Sequence, residues 1–215
     1  MRLRDQAYAT ITGRMLDGRL RPGQFVTQRE LVAMTGLPLG AVREAIPRLE
    51  ADGVLQALAQ RGLQVMPADP ALLRHAYHLR EILEVAAVEA FARAAPDAAL
   101  AALRAAHARL LDAPRGTPDW QRDMRDADWA LHEAMVAALG NPLATEAHRL
   151  LLLRIRLMSP APGDPAPALD EHGAILSALK RRDAGDAADA LRDHLRQARQ
   201  RALGLEPERP RKKRK

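Results

Sequence analysis

The chain has 215 residues, enough for one large domain or two small ones with a sizeable core. It contains no cysteine, which excludes disulfides, thiol catalysis and thiolate metal sites, so any metal must take nitrogen and oxygen ligands. The formal net charge of +6 lies at the two ends: +3 in residues 1–67, −1 in 68–204 and +4 in 205–215. This distribution is typical of a polyanion-binding module joined to a nearly neutral body.

The first third predicts three helices followed by a β-hairpin. Apolar spacing and turn residues place the helices at about 5–18, 27–34 and 39–51, and the strands at 54–57 and 63–66. Thr27 and Glu30 form a capping box at the start of the second helix, and Gly36 ends it. Pro47 lies inside the third helix, where we expect a kink.

From residue 68 onward the pattern is helical throughout. Six helices are predicted at about 70–94, 97–112, 118–139, 142–158, 168–182 and 186–203, with a proline-rich loop at 159–167. Their lengths suit an antiparallel bundle. The expected fold class is mostly α, with a winged helix-turn-helix domain in residues 1–67 and an all-α antiparallel bundle of about six helices in 68–204. Residues 205–215 are expected to form a disordered basic tail.

The hydropathy of the sequence indicates a protein that neither spans a membrane nor is secreted. No apolar run approaches the ~18 residues that a membrane helix needs, and the first residues lack the apolar core of a signal peptide. We therefore expect a cytoplasmic protein with no membrane partner.

The N-terminal module is a candidate for binding double-stranded DNA. The second helix of a helix-turn-helix pair can enter the major groove, where Arg43 would reach a base edge or a phosphate. The predicted contact residues are Thr27, Arg29, Arg43, Arg48, Arg61 and Gly62, with Arg61 on the wing. The alternative is that the two helices only pack together and the arginines are simply solvated.

Five segments between residues 11 and 66 carry a resemblance to a known family. They are RPG at 21–23, EL at 30–31, VREAI at 42–46, RLEADGV at 48–54 and RGLQV at 61–65. In residue type and spacing they resemble the GntR family of bacterial transcription regulators, which implies a winged helix-turn-helix that binds an operator. One departure is PLGA at 38–41, which replaces the family's SRTP and puts Leu39 where an arginine usually lies.

Four residues of the helical body form a candidate metal site. Asp128 and His132 are four residues apart and share one helix face. His172 and His194 lie on either side of a predicted break, so that antiparallel folding brings them to the same level. Such a nitrogen and oxygen set suits zinc, nickel or manganese. The alternative is a set of simple Asp–His salt bridges, and the other histidines (His75, His78, His107 and His148) are expected to be surface or satisfied core residues.

The same region is similar to the ligand-binding domain of the FadR subgroup of GntR regulators, the FCD domain. The segments are DADWALH at 126–132, GNP at 140–142, EHGAILSAL at 171–179, DAGDA at 183–187 and HL at 194–195. The resemblance implies that the aspartate and three histidines hold a divalent metal, beside which many members bind a small carboxylate effector. Leu131 stands where an aromatic residue usually precedes the first histidine, and six helices instead of seven suggest the shorter variant of the domain.

Two arginines are candidates for the effector site. Arg80, in a segment similar to the family's R-x-x-LE, would bind an effector carboxylate in bidentate fashion if it points inward. An intrahelical pair with Glu84 is the equally weighted alternative. Arg154, in an otherwise apolar helix, is a weaker candidate.

These features together predict a ligand-responsive regulator, not an enzyme. It would bind a palindromic operator as a homodimer, and the effector would alter the relation of the two DNA-binding modules. A direct metal sensor is the first alternative. A metal-dependent hydrolase is the second, but the sequence places no further acid or base beside the four ligands.

Overall fold

A computed structural model describes residues 1–159 and 166–205. The predicted tail therefore lies outside the described residues except for Leu205, as do residues 160–165 of the predicted proline-rich loop. The chain divides into two compact units, residues 1–70 with 153–159, and residues 71–152 with the remaining chain. No described helix is both long and apolar enough to cross a membrane.

The first unit contains three helices and a small antiparallel sheet. Its elements are α1 (Leu3–Leu16), β1 (Phe25–Val26), α2 (Gln28–Thr35), α3 (Leu39–Ala51), β2 (Leu55–Leu58) and β3 (Gly62–Val65). The strands are ordered β1-β3-β2, with Leu55 opposite Val65 and Phe25 opposite Gln64. The hairpin and the three helices were predicted, whereas the two-residue β1 is too short to show any periodicity in the sequence.

Local sequence explains where these helices begin and end. The Thr27 hydroxyl accepts a hydrogen bond from the Glu30 backbone N–H, and the Glu30 carboxylate accepts one from the Thr27 backbone N–H, so the predicted capping box is present. Gly36 ends α2 in the left-handed region at φ 69°. Pro47 lies on the exposed side of α3, and the helix runs on through it to Ala51.

An apolar core and one polar contact hold the first unit together. Ile11, Leu31 and Leu49 are completely buried between the helices. The Tyr8 hydroxyl donates a hydrogen bond of 2.5 Å to the carboxylate of Asp52, which joins α1 to the end of α3.

The second unit is helical. Its helices are α4 (Pro70–Ala94), α5 (Asp97–Asp112), α6 (Pro118–Ala137), α7 (Pro142–Met158), α8 (Ala166–Lys180) and α9 (Ala184–Ala202), with the end of α7 assigned to the first unit. All six were predicted, and their bounds differ from the predicted ones by at most two residues. A completely buried apolar core includes Val88, Met135, Leu179 and Leu191 from four of these helices.

The connection between α8 and α9 matters most for the site. Arg182 adopts a positive φ of 58°, and the Asp183 side chain accepts a hydrogen bond from the Asp186 backbone, which begins α9. The chain therefore reverses direction within a few residues, and α8 and α9 pack side by side over their length. This is the reversal that the spacing of His172 and His194 required.

Candidate functional site

The four predicted ligand residues lie together inside the second unit. Asp128 and His132 come from α6, His172 from α8 and His194 from α9, and one ligand atom of each lies within 4.8 Å of the others. The three histidines are 0–3% exposed, whereas the Asp128 side chain is 42% exposed. The cluster is thus a buried triad of imidazoles with a carboxylate at its edge.

The Nε2 atoms of the histidines point toward one another. His132 Nε2 and His194 Nε2 are 3.2 Å apart, and His172 Nε2 is 3.1 Å from Asp128 Oδ1. The buried His172 Nε2 has no hydrogen-bond partner among the described residues. A bound cation would accept the converging lone pairs of these nitrogens and would give His172 Nε2 a partner.

Two carboxylates outside the cluster orient two of the imidazoles. His132 Nδ1 donates to Glu84 Oε2 at 2.7 Å, and His194 Nδ1 donates to Glu171 Oε2 at 2.8 Å. With the proton held on Nδ1, the Nε2 lone pair of each ring faces the centre of the cluster. Arg201 in turn binds both oxygens of Glu171, at 2.6 and 2.8 Å.

Glu84 is the centre of a second buried network. Its side chain is completely buried and accepts hydrogen bonds from Arg80 Nε, His132 Nδ1 and His148 Nε2, each at 2.7 Å. Arg80 also reaches the other carboxylate oxygen at 3.3 Å. Arg80 is thus both buried and paired with Glu84, and its contact with an effector stays a prediction.

The positions of the network residues explain what the sequence did not reveal. Glu84 was recognisable as the i,i+4 partner of Arg80, but its bond to His132 spans 48 residues and leaves no local signal. His148, Glu171 and Arg201 were likewise not predicted as site residues. His107 is a satisfied histidine with its Nε2 2.8 Å from the Leu169 carbonyl oxygen, and His75 and His78 are exposed.

Burial and neighbouring charges fix the protonation states around the cluster. Burial alone raises the pKa of the Glu84 carboxyl, but Arg80 and His132 hold it well below its ordinary value. Burial likewise opposes ionisation of Asp128, yet its contacts with the three histidines lower the pKa of this carboxyl. Burial lowers the pKa of His132, and it lowers that of His194 to about 3. At neutral pH the site thus combines ionised carboxylates with neutral imidazoles at His132 and His194, the forms that bind metals.

The residues predicted to contact DNA lie in the first unit. Arg29, Arg43 and Arg61 are exposed, and Arg43 Nε donates to Gln28 Oε1 at 2.9 Å. Arg48 is about half exposed, and its guanidinium lies 4.1 Å from the centre of the Tyr8 ring. The remaining two predicted residues are Thr27, which caps α2, and Gly62, which begins β3 at φ 85°.

Arg154 belongs to the first unit rather than to the helical one. Its Nε donates to the Asp52 carbonyl oxygen at 2.7 Å, and its guanidinium lies against Gly53. The structure thus gives this arginine partners at the end of α3.

Known protein families match both the helical domain and the winged domain of the chain. The model of the FCD domain matches residues 75–197, more than half of the chain, and that of the bacterial regulatory proteins of the gntR family matches residues 3–65. A curated relative, an uncharacterized HTH-type transcriptional regulator in an unstable DNA locus of Streptomyces ambofaciens, is 27% identical over 90% of this chain and 82% of its own length.

Solved structures share the fold over most of the chain. E. coli McbR/YncC is 20% identical, with a TM-score of 0.78 over 92% of this chain and 95% of that one. A protein from Rhodococcus sp. RHA1 described as a GntR regulator is 20% identical, with a TM-score of 0.76 over 94% of this chain and 98% of that one. With both family models matched in the predicted order, the chain belongs to the GntR family of bacterial transcription regulators and carries an FCD domain.

Proposed function

We propose that this protein is a ligand-responsive transcription regulator whose helical domain, residues 68–204, holds one divalent metal, and whose winged domain, residues 1–67, binds an operator. The observation that carries the proposal is the meeting of Asp128, His132, His172 and His194 within 4.8 Å. Proteins of this family regulate transcription. The cluster of four residues would be the site at which this protein binds its effector. From operator binding we further infer a cytoplasmic location.

The donor set fits a divalent metal. Three imidazole nitrogens and one carboxylate oxygen suit tetrahedral zinc, and they also suit nickel or manganese with further positions open. The unsatisfied Nε2 of His172 supports this assignment, as do the carboxylates Glu84 and Glu171 behind His132 and His194. A bound metal ion would act as a Lewis acid and accept an oxygen ligand. Glu84 and Glu171 orient the imidazoles of His132 and His194, and burial keeps these two rings neutral.

A small carboxylate is the effector class that we propose. One of its oxygens would occupy an open metal position, and the nearby Arg80 would supply charge complementarity. Because Arg80 binds both oxygens of Glu84, an effector that reaches the guanidinium has to compete with this carboxylate. We therefore propose Arg80 as a weaker contact than the metal and give Arg154, which binds Asp52, no part in the effector site.

Operator binding is proposed for a homodimer. The exposed Arg29, Arg43 and Arg61 supply positive charge on the first unit, and Arg43 lies on the second helix of the helix-turn-helix pair. A twofold dimer binds a palindromic operator, because each half-site meets one copy of the same surface.

The experiment starts from protein purified without chelator. Elemental analysis is expected to find about one divalent ion per chain, and a DNA sequence selected from a random pool serves as the operator. Its affinity is then measured for metal-loaded and metal-free protein, with and without a panel of small carboxylates. A response to a carboxylate that requires metal supports the proposal, and a response to metal alone indicates a direct metal sensor. Metal-free protein with no cation affinity would refute the metal assignment.

A further inference from the structure

The exposed side of α3 begins with a large apolar residue. Leu39 is the first residue of this helix and is 39% exposed, whereas Val42 and Leu49 on the other side are completely buried. A substantial part of the Leu39 side chain therefore stays in contact with water. Covering this apolar surface with an apolar group of a partner would be favourable.

Leu39 shares its face of α3 with Arg43, the residue for which a DNA contact is proposed above. Between residues 39 and 48, the exposed residues of the helix are Leu39, Gly40, Arg43, Glu44, Pro47 and Arg48. Leu39 and Arg43 are four residues apart, so they lie on one face and about 6 Å apart along the helix axis. The first residues of the second helix in a helix-turn-helix pair are those that contact base edges in the major groove. Leu39 thus occupies the end of α3 that would enter the groove.

Gly40, the next residue of α3, leaves free space beside Leu39. A Cβ built at this position would meet no described atom within 4 Å outside its immediate neighbours and its own helix backbone, and Gly40 does not have a positive φ. Neither the backbone conformation nor packing within the described chain therefore requires glycine here, although glycine is less favourable than alanine in a helix. The missing side chain lets a base edge or a sugar approach the helix closely at this point.

The chemistry of the major groove limits what a leucine can contact there. Guanine, cytosine and adenine present hydrogen-bond donors and acceptors at the groove edge, whereas thymine also presents a C5 methyl group. The Leu39 side chain has no donor or acceptor, so against a polar edge it would displace water without supplying a hydrogen bond. Against a thymine methyl group it would bury apolar surface on both partners. A thymine is therefore the base that fits Leu39.

We propose that Leu39 is a specificity-determining residue that contacts the C5 methyl group of one thymine in each operator half-site. Successive base pairs are about 3.4 Å apart, so the spacing of about 6 Å between Leu39 and Arg43 places this thymine within roughly two base pairs of the Arg43 contact. The inference names a base preference of the operator and so rests on the proposed function.

Deoxyuridine tests the contact directly, because it differs from thymidine only in lacking the methyl group. The operator is first selected from a random DNA pool with the wild-type protein, and each thymine of one half-site is then replaced by deoxyuridine in turn. Fluorescence anisotropy at one salt concentration measures the affinity of the full chain for each duplex. At one thymine, the wild type is expected to lose about fourfold in affinity, the effect of burying one methyl group. Leu39→Ala is expected to bind the two forms of this duplex within about twofold of each other.

Two further variants serve as controls. Leu39→Met keeps an apolar side chain of similar volume and is expected to retain the preference for thymine over deoxyuridine. Leu111→Ala removes an equally exposed leucine from α5 and is expected to change neither the affinity nor this preference. Circular dichroism verifies that all three variants keep their helices. Leu39→Ala is also expected to leave the salt dependence of binding unchanged, because an apolar side chain neutralises no phosphate.

Two results would overturn the role of Leu39. One is a wild-type protein whose affinity is unaffected by deoxyuridine at every position, and the other is an equal loss in the wild type and in Leu39→Ala at every sensitive thymine. Either result would leave operator binding itself intact. Failure to select any DNA sequence would instead refute the operator binding of the proposed function, and this inference with it.

Discussion

Replacement of Glu84 by glutamine tests whether the buried network holds the histidine cluster in place. The Arg80 and Glu84 side chains are 5% and 0% exposed, so the substitution leaves a buried guanidinium without its counter-charge. Breaking a buried ion pair from one side costs about 3–5 kcal/mol. For a chain of this size, each kcal/mol corresponds to roughly 2–4 °C, so the melting temperature is expected to fall by about 6–20 °C.

The control for this prediction is Glu146→Gln. Glu146 also binds an arginine through both oxygens, but its side chain is 58% exposed, and an exposed pair contributes only about 0–1 kcal/mol. Urea unfolding of the metal-free protein, followed by circular dichroism, measures both variants against the wild type. Equal loss of stability in the two variants would refute the argument from burial.

Three further predictions concern the metal, DNA and pH. His172→Ala is expected to abolish retention of the divalent ion in elemental analysis, because no cysteine can replace the lost ligand; an unchanged metal content would remove His172 from the site. Arg43→Ala is expected to weaken binding to the selected operator by roughly 1–3 kcal/mol at fixed salt. Arg61→Ala should mainly reduce the salt dependence of the operator affinity. Titration by fluorescence anisotropy would measure both effects. The folded protein lowers the pKa of His194 to about 3 and that of Glu171 to about 2, from unfolded values of about 6.5 and 4.3. Because the unfolded chain then binds more protons, metal-free protein should lose stability steadily as the pH falls below about 6.5. A urea midpoint that stays constant from pH 7 to pH 4 would contradict this.

The sequence by itself determined the elements of the fold. Apolar periodicity, proline at the first turn and capping residues are local signals, and they placed the six helices of the bundle within two residues of their observed bounds. The grouping of Asp128, His132, His172 and His194 was also predictable, since a single reversal near Asp183 is enough to align α8 with α9.

The tertiary structure alone decided which groups support those ligands. Glu84 lies 48 residues from His132 and 64 residues from His148, and Arg201 lies 30 residues from Glu171. Hydrogen bonds across such distances depend on how side chains of different helices meet in the core, and no local spacing encodes this. The same holds for Arg154, whose residue type suggested a ligand contact but whose partner is the Asp52 carbonyl oxygen, 102 residues away in sequence. A partly buried arginine such as Arg154 binds an acceptor that packing places beside it, because its desolvated donors cost free energy if they are left without a partner.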